Sequence, residues 1–224
     1  MRQFYLMIEK GALLEHSGHL LSWSHYRELL SIKDINKVNY YIKLCLKSKI
    51  TRDELKRRIK SKEYERLSDE AKNKLITNES LNIKDTIPEP ILIPTSIIKN
   101  EMEIKEKQLQ SIIVENIEDF MKQLGEGYSY IDKEYKIKIN DNYNYIDILL
   151  FNIKSNCYVV VELKVTELKK EYLGQIQIYM NYIDEHLKTN SHNKTIGILL
   201  VKENNEFSLY SSDGNIIIRN FKLI

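Results

Sequence analysis

Hydrophobic residues recur at helical spacing through the first third of the chain and gather into short continuous runs in the last third. Residues 1–80 therefore read as helices. Arg2–Lys10 is apolar at helical spacing. Leu20–Tyr26 leads into a helix that Ser22 or Ser24 caps, with Trp23 as a core anchor. Asp34–Ser48 carries Val38, Tyr41, Ile42 and Cys45 on one side. Thr51 and Glu54 form a capping box for the next helix. All three prolines, Pro88, Pro90 and Pro94, fall in 81–98, a linker apolar enough to pack on a domain. Glu101–Leu124 reads as one long helix with Leu109, Ile112, Ile113, Ile117, Phe120 and Leu124 on one face, ended by Gly125 and Gly127.

From there the pattern becomes that of strands. Tyr128–Ile139 alternates, 140–142 turns, Tyr145–Phe151 is aromatic and β-branched, 152–156 is polar, and Tyr158–Val165 is apolar again. Lys169–Lys188 returns to helical spacing, and strands are expected at Thr195–Val201, Phe207–Tyr210 and Ile216–Ile218. A strand, helix, strand passage implies a parallel crossover. The class is α/β, a mixed sheet flanked by helices over residues 99–224, with a small helical domain before it over 1–80 and the linker at 81–98.

Two of the apolar runs carry charge where charge is costly. Tyr145–Phe151 contains Asp147, and Tyr158–Val165 contains Glu162 and Lys164, whose side chains share a face because strand side chains alternate. A hairpin brings Asp147 beside them. Two acids for a divalent cation, with a lysine next to them, suit phosphodiester hydrolysis: Asp147 and Glu162 hold Mg²⁺ or Mn²⁺, and Lys164 assists the nucleophile. Glu-x-Lys triplets are frequent in a chain this rich in both residues, so a salt-bridged strand is the plain alternative. The acid, turn and Glu-x-Lys order inside two apolar strands favours a site.

Net charge is only +2 over 224 residues, but its distribution is uneven. Residues 1–84 hold 18 basic and 11 acidic side chains, the remainder 16 and 21. A basic first half is the half that meets a phosphate backbone. The helix after Thr51 carries Lys56, Arg57, Arg58, Lys60 and Lys62, and helix, short turn, basic helix is compatible with a helix-turn-helix that contacts DNA. A solvated helix neutralised by Asp53, Glu54, Glu63 and Glu65 is the alternative. Cys45 and Cys157 are expected as reduced core residues, which with the absence of a signal-like or membrane-length apolar run points to the cytoplasm and away from membranes. His16, His19 and His25 match no ligand spacing. The sequence contains no P-loop, GxGxxG, CxxC pair or HExxH motif.

Asp, turn, then Glu-x-Lys on adjacent strands resembles the PD-(D/E)xK nucleases. The wording of Leu21–Leu30, Tyr145–Phe151, Val159–Lys164 and Thr195–Leu200 is similar to the YhcG-like family among them. The resemblance covers nearly the whole chain. It implies a restriction-endonuclease-like fold, cleavage of DNA, and an N-terminal region that binds DNA. Met1–Leu6 resembles an internal family segment, so the N-terminal region is expected to be shortened. The superfamily often takes an acid from the helix before the site; the family's glutamate aligns with Gln110 here, leaving Glu115 or Asn116 to substitute. RecB-like members place a Gln and a Tyr beside the site, which implies Gln175 orienting substrate or Lys164, with Tyr179 four residues on. The rival functions are a catalytically inactive nuclease-fold module for DNA binding or assembly, and an RNA nuclease. Self-association into a homo-oligomer is open.

Overall fold

The computed structural model describes Leu6 and residues 21–95, 104–203 and 214–224. Apart from Leu6, the helix expected over Arg2–Lys10 lies outside the described residues, as do His16, His19 and the strand expected at Phe207–Tyr210. The chain divides into two compact units, Met1–Asp85 and Thr86–Ile224.

The first unit is helical: α1 Trp23–Leu29, α2 Ile35–Ser48, α3 Arg52–Lys60, α4 Asp69–Thr77, and the short α5 Ile83–Thr86 at the boundary. Side chains satisfy the free N–H groups at three of the starts. Asp34 Oδ1 accepts from Asn36 N at 2.9 Å, Thr51 Oγ1 from Glu54 N at 3.2 Å and Ser68 Oγ from Ala71 N at 3.1 Å. Ser22 is the α1 cap residue, but its hydroxyl pairs with His25 Nδ1 at 2.7 Å, and the other ring nitrogen meets the Ile50 carbonyl at 3.0 Å. Leu29, Val38, Tyr41, Ile42, Leu55 and Ala71 form the core. Trp23 is not its anchor: it is 55% exposed. On α1 it is Leu29 that turns inward, and on α2 Val38, Tyr41, Ile42 and Cys45 do so.

In the second unit, the expected single helix is two, α6 Glu106–Glu115 and α7 Ile117–Leu124. They break at Asn116, whose backbone leaves the helical region at φ −116° and ψ 33° while its side chain donates back to the Ile112 carbonyl at 2.9 Å. Six strands follow the order β1-β6-β5-β4-β3-β2, where β1 is Ile91–Ile93, β2 Tyr128–Ile139, β3 Asn142–Asn152, β4 Cys157–Glu167, β5 Ile196–Glu203 and β6 Ile216–Leu223. β2, β3 and β4 pair antiparallel; β4, β5, β6 and β1 pair parallel, so the sheet is mixed. β1 lies inside the stretch read as a linker. Its three apolar residues pair with Phe221–Leu223. The outward backbone of Leu92 is occupied by one side chain: Gln123 Oε1 accepts its N–H at 3.0 Å, and Gln123 Nε2 donates to its carbonyl.

Helix α8, Lys170–His186, makes the crossover from β4 to β5 and covers Val160, Leu199, Val201, Ile216 and Ile218 with Ile176, Tyr179, Met180 and Ile183. Val159, Val161 and Leu163, on the alternate positions of β4, are fully buried as well. That two-sided burial explains a strand apolar at nearly every position. No helix among the described residues is long and apolar enough to cross a membrane. α8 approaches the sheet closely at Gly197, where an added Cβ would lie 2.6 Å from Met180 Sδ and 2.9 Å from Ile176 Cδ1. Gly197→Ala is therefore expected to lower stability by about 1–3 kcal/mol through overpacking, read as a fall in thermal midpoint; an unchanged midpoint would show that α8 yields freely.

Candidate active site

The site forms where β3 leaves β4. The ladder between them runs from Asn152 opposite Cys157 to Ile148 opposite Val161 and stops. The next position along the same register is Asp147 opposite Glu162. Here side chains replace the ladder. Asp147 Oδ2 accepts from Leu163 N at 2.8 Å, and Glu162 Oε1 accepts from Asp147 N at 3.3 Å. β3 meanwhile stays paired with β2 as far as Asn142. A sheet that forks in this way sets the two carboxylates at the point where the strands part.

Lys164, two residues after Glu162 on the same face, puts Nζ 3.6 Å from Glu162 Oε2 and 3.6 Å from Glu106 Oε2. The ammonium also sits 5.3 Å from the Tyr172 ring centroid, and the Tyr172 hydroxyl hydrogen-bonds Thr166 Oγ1 at 2.9 Å. From α6, Gln110 Nε2 donates to the Asp147 carbonyl at 2.8 Å, tying that helix to the fork.

Burial governs the electrostatics. Glu162 is 2% and Lys164 8% exposed. Burial, then the neighbouring Asp147 charge, push the Glu162 carboxyl up to about 8, against the opposing pull of Lys164. Asp147 is also raised, by burial first; the Leu163 N–H and Lys164 oppose the rise, and Glu106 and Glu134 add to it. Burial alone would lower Lys164, but Glu162, Glu106 and Asp147 outweigh it and raise the ammonium. The site thus holds more negative charge than its one lysine offsets. Among the described residues no three His, Cys, Asp or Glu side chains converge to hold a metal. Asp147 and Glu162, on adjacent strands, are the carboxylate pair of this site that could contribute oxygen ligands to a hard divalent cation.

The structure brings together Asp147, Glu162 and Lys164. Tyr179 is buried on α8 within electrostatic reach of all three. Gln175, one turn earlier, gives its amide to the Tyr179 hydroxyl at 2.9 Å, while Lys164 is held by carboxylates. Glu115 and Asn116 stay out: both are exposed at the α6–α7 break. The α6 acid that does reach Lys164 is Glu106. Its signal was the spacing: Glu106 lies one turn before Gln110, the position aligned with the family glutamate, so both share a face. Tyr172 had no signal in the sequence. In the first unit, Lys56, Arg57, Lys60 and Lys62 are exposed. Arg58 instead turns inward, donating to Glu54 at 2.8 Å and Glu63 at 3.1 Å, and Arg57 also pairs with Glu54 at 2.9 Å.

A family model described as the YhcG PDDEXK nuclease domain matches residues 84–224, and the DUF1016 N-terminal domain matches residues 1–66. The curated protein "Putative nuclease YhcG" of Escherichia coli strain K12 is 27% identical over 186 residues, 80% of this chain and 49% of that protein. The chain therefore spans about half the length of that relative. Among solved structures, a repair endonuclease from Pyrococcus abyssi aligns with 53% of this chain and 47% of its own at 22% identity and a TM-score of 0.38. An EndoMS–dsDNA complex aligns with 58% of this chain and 48% of its own at 20% identity and a TM-score of 0.39. With the family model covering the whole forked sheet, the chain belongs to the YhcG family of PD-(D/E)xK nuclease-domain proteins.

Proposed function

We propose that the second unit hydrolyses phosphodiester bonds of DNA with a divalent cation, Mg²⁺ or Mn²⁺, bound by Asp147 and Glu162. The observation that carries this reading is the buried Glu162 carboxyl paired with the half-buried Asp147 carboxyl at the strand fork, with Lys164 beside them. A cation there would polarise the phosphate and favour ionised water. Lys164, aimed by Glu106 and the Tyr172 ring, positions the attacking water and offsets charge growing on the phosphate oxygens. Gln175 and Tyr179 act as a linked pair on the α8 wall, Tyr179 behind the acids and Gln175 toward substrate. The exposed cations Lys56, Arg57, Lys60 and Lys62 supply non-specific attraction to the DNA backbone.

The direct experiment is cleavage of supercoiled, linear and branched DNA, beside RNA, with and without Mg²⁺ or Mn²⁺. Asp147→Asn and Glu162→Gln should each abolish cleavage with the fold intact, since each removes a charge the cation needs. Lys164→Met should keep Mn²⁺ binding by calorimetry while cleavage falls by about two to four powers of ten. Equal loss of both would make Lys164 structural, and preferential cutting of RNA would move the substrate.

Burial of Glu162 makes stability depend on pH. The folded carboxyl titrates near 8 against an ordinary 4.5, so across that interval the folded chain keeps a proton that the unfolded chain has lost. Stability contributed by the protonated group is complete below about 4.5, falls as pH rises and is gone above about 8. Urea midpoints of the metal-free protein should decline over this window, and Glu162→Gln should flatten that decline. A wild type with no decline would refute the assignment.

For the first unit, the expected division is between Arg58 and its neighbours. Arg58→Gln should destabilise the unit by leaving Glu63 partly buried without its guanidinium. Lys56→Gln with Lys60→Gln should leave the thermal midpoint near wild type and flatten the salt dependence of DNA binding by roughly one unit of slope per lost contact. An unchanged slope would take this helix out of the DNA interface.

A further inference from the structure

The β2–β3 hairpin extends past the fork. β3 keeps β4 only from Ile148 to Asn152, while β2 and β3 stay paired out to Ile139 opposite Asn142. Residues 133–147 therefore form a two-stranded arm with the acids at its base. Along β3, Ile146 packs with Ile137 and Leu149 in the core under α8, and Tyr143 and Tyr145 alternate onto the face of the hairpin opposite Ile146. Tyr143 is 58% and Tyr145 52% exposed. Two residues of strand put Tyr145 about 7 Å and four put Tyr143 about 13 Å from Asp147. Across the hairpin, Lys138 faces Tyr143 and Lys136 faces Tyr145.

The lysines on this face differ. Lys138 is paired with Asp141 at 2.8 Å. Lys136 has no ion pair among the described residues; its Nζ lies 3.8 Å from the Tyr143 ring centroid. One exposed tyrosine needs no explanation. Two neighbours on an arm that begins at Asp147, one shielded by an ammonium, make a row of flat apolar surfaces with a cation that a phosphate can draw away. Duplex bases hide their faces in the stack and offer such rings nothing. Unpaired bases offer every face, and stacking on aromatic rings beside lysines is how single strands are held without regard to sequence.

We propose that the outer face of this arm is a subsite for unpaired nucleotides adjoining the scissile phosphate, with bases stacking on Tyr145 and Tyr143 and Lys136 meeting the backbone. It rests on the phosphodiester reading of the fork and narrows it to substrates with a single-stranded segment beside the cut.

The test is fluorescence anisotropy of the full chain in EDTA, with labelled oligothymidylate of about 20 nucleotides and a blunt duplex of the same length. Tyr143→Leu and Tyr145→Leu should each weaken oligothymidylate binding roughly five- to a hundredfold, the range of one stacked base, and weaken the duplex less. Phenylalanine at both positions should stay within about twofold of wild type, because the ring face is kept. Both positions are exposed, and circular dichroism melts of the variants establish that they fold. Equal losses on both probes, leucine variants that lose nothing, phenylalanine as damaging as leucine, or a wild type that ignores oligothymidylate would each overturn the subsite. So would a leucine pair that shifts the sedimentation coefficient, since the arm would then dock a second copy of the chain. Binding in EDTA needs no turnover. A wild type that binds with this ring dependence and never cleaves would refute hydrolysis while supporting the subsite, whereas cleavage with ring-independent binding would refute the subsite alone.

Discussion

Everything at the candidate site depends on one substitution of hydrogen-bond partners. At the point where β3 and β4 part, backbone N–H groups that would otherwise continue the ladder are taken by the carboxylates of Asp147 and Glu162. The same two bonds fix the acids and let the strands diverge. Were the ladder to continue, these N–H groups would pair with backbone carbonyls and the acids would lose the donors that hold them. Were the N–H groups left unpaired, the fork would carry buried polar groups at a cost of about 1–3 kcal/mol each. The carboxylates resolve both difficulties and in return are held in a medium that resists their ionisation. Lys164 eases that, but it is shared with Glu106.

The surroundings act on the fork in layers. Gln110 holds the backbone of Asp147 from α6, Tyr172 and Glu106 hold the ammonium, and α8 closes the face over Val160 with Ile176 and Met180. The close α8–sheet packing at Gly197 sits on that same face. A change in α8 position would reach Tyr179 and then the acids, which links distant packing to chemistry through one rigid helix.

The site's centre was legible because charge in a doubly buried strand is an anomaly that the residues themselves display: Asp147, Glu162 and Lys164 stand out against Ile, Leu and Val. Strand β2 was legible from alternation, β3 to β5 from continuous apolar runs, and helix α8 from helical spacing. What failed to read has specific causes. Glu106 was passed over although its spacing to Gln110 puts both on one face; Glu115 and Asn116 read as candidates because the α6–α7 stretch looks like one continuous amphipathic helix, and the break at Asn116 became visible only in the backbone angles. Strand β1 is three residues long among prolines, too short for any periodicity to register. Arg58 is indistinguishable in sequence from Arg57, yet one sits in a buried ion pair and the other at the surface; the difference is a matter of which side of α3 meets Tyr40 and Glu63.

The clasp of Gln123 on Leu92 has a consequence for the order in which the sheet can assemble. Leu92 reaches its strand partner only when the last residues of the chain arrive, since β1 pairs with Phe221–Leu223. Gln123 lies 31 residues from Leu92, so closing that loop sacrifices far less chain freedom than closing the strand pair. On a ribosome, the amide is available long before β6 exists. It can dock β1 against α7 first and leave its inner edge waiting for the C-terminus, so the final strand enters a slot whose outer wall is already in place.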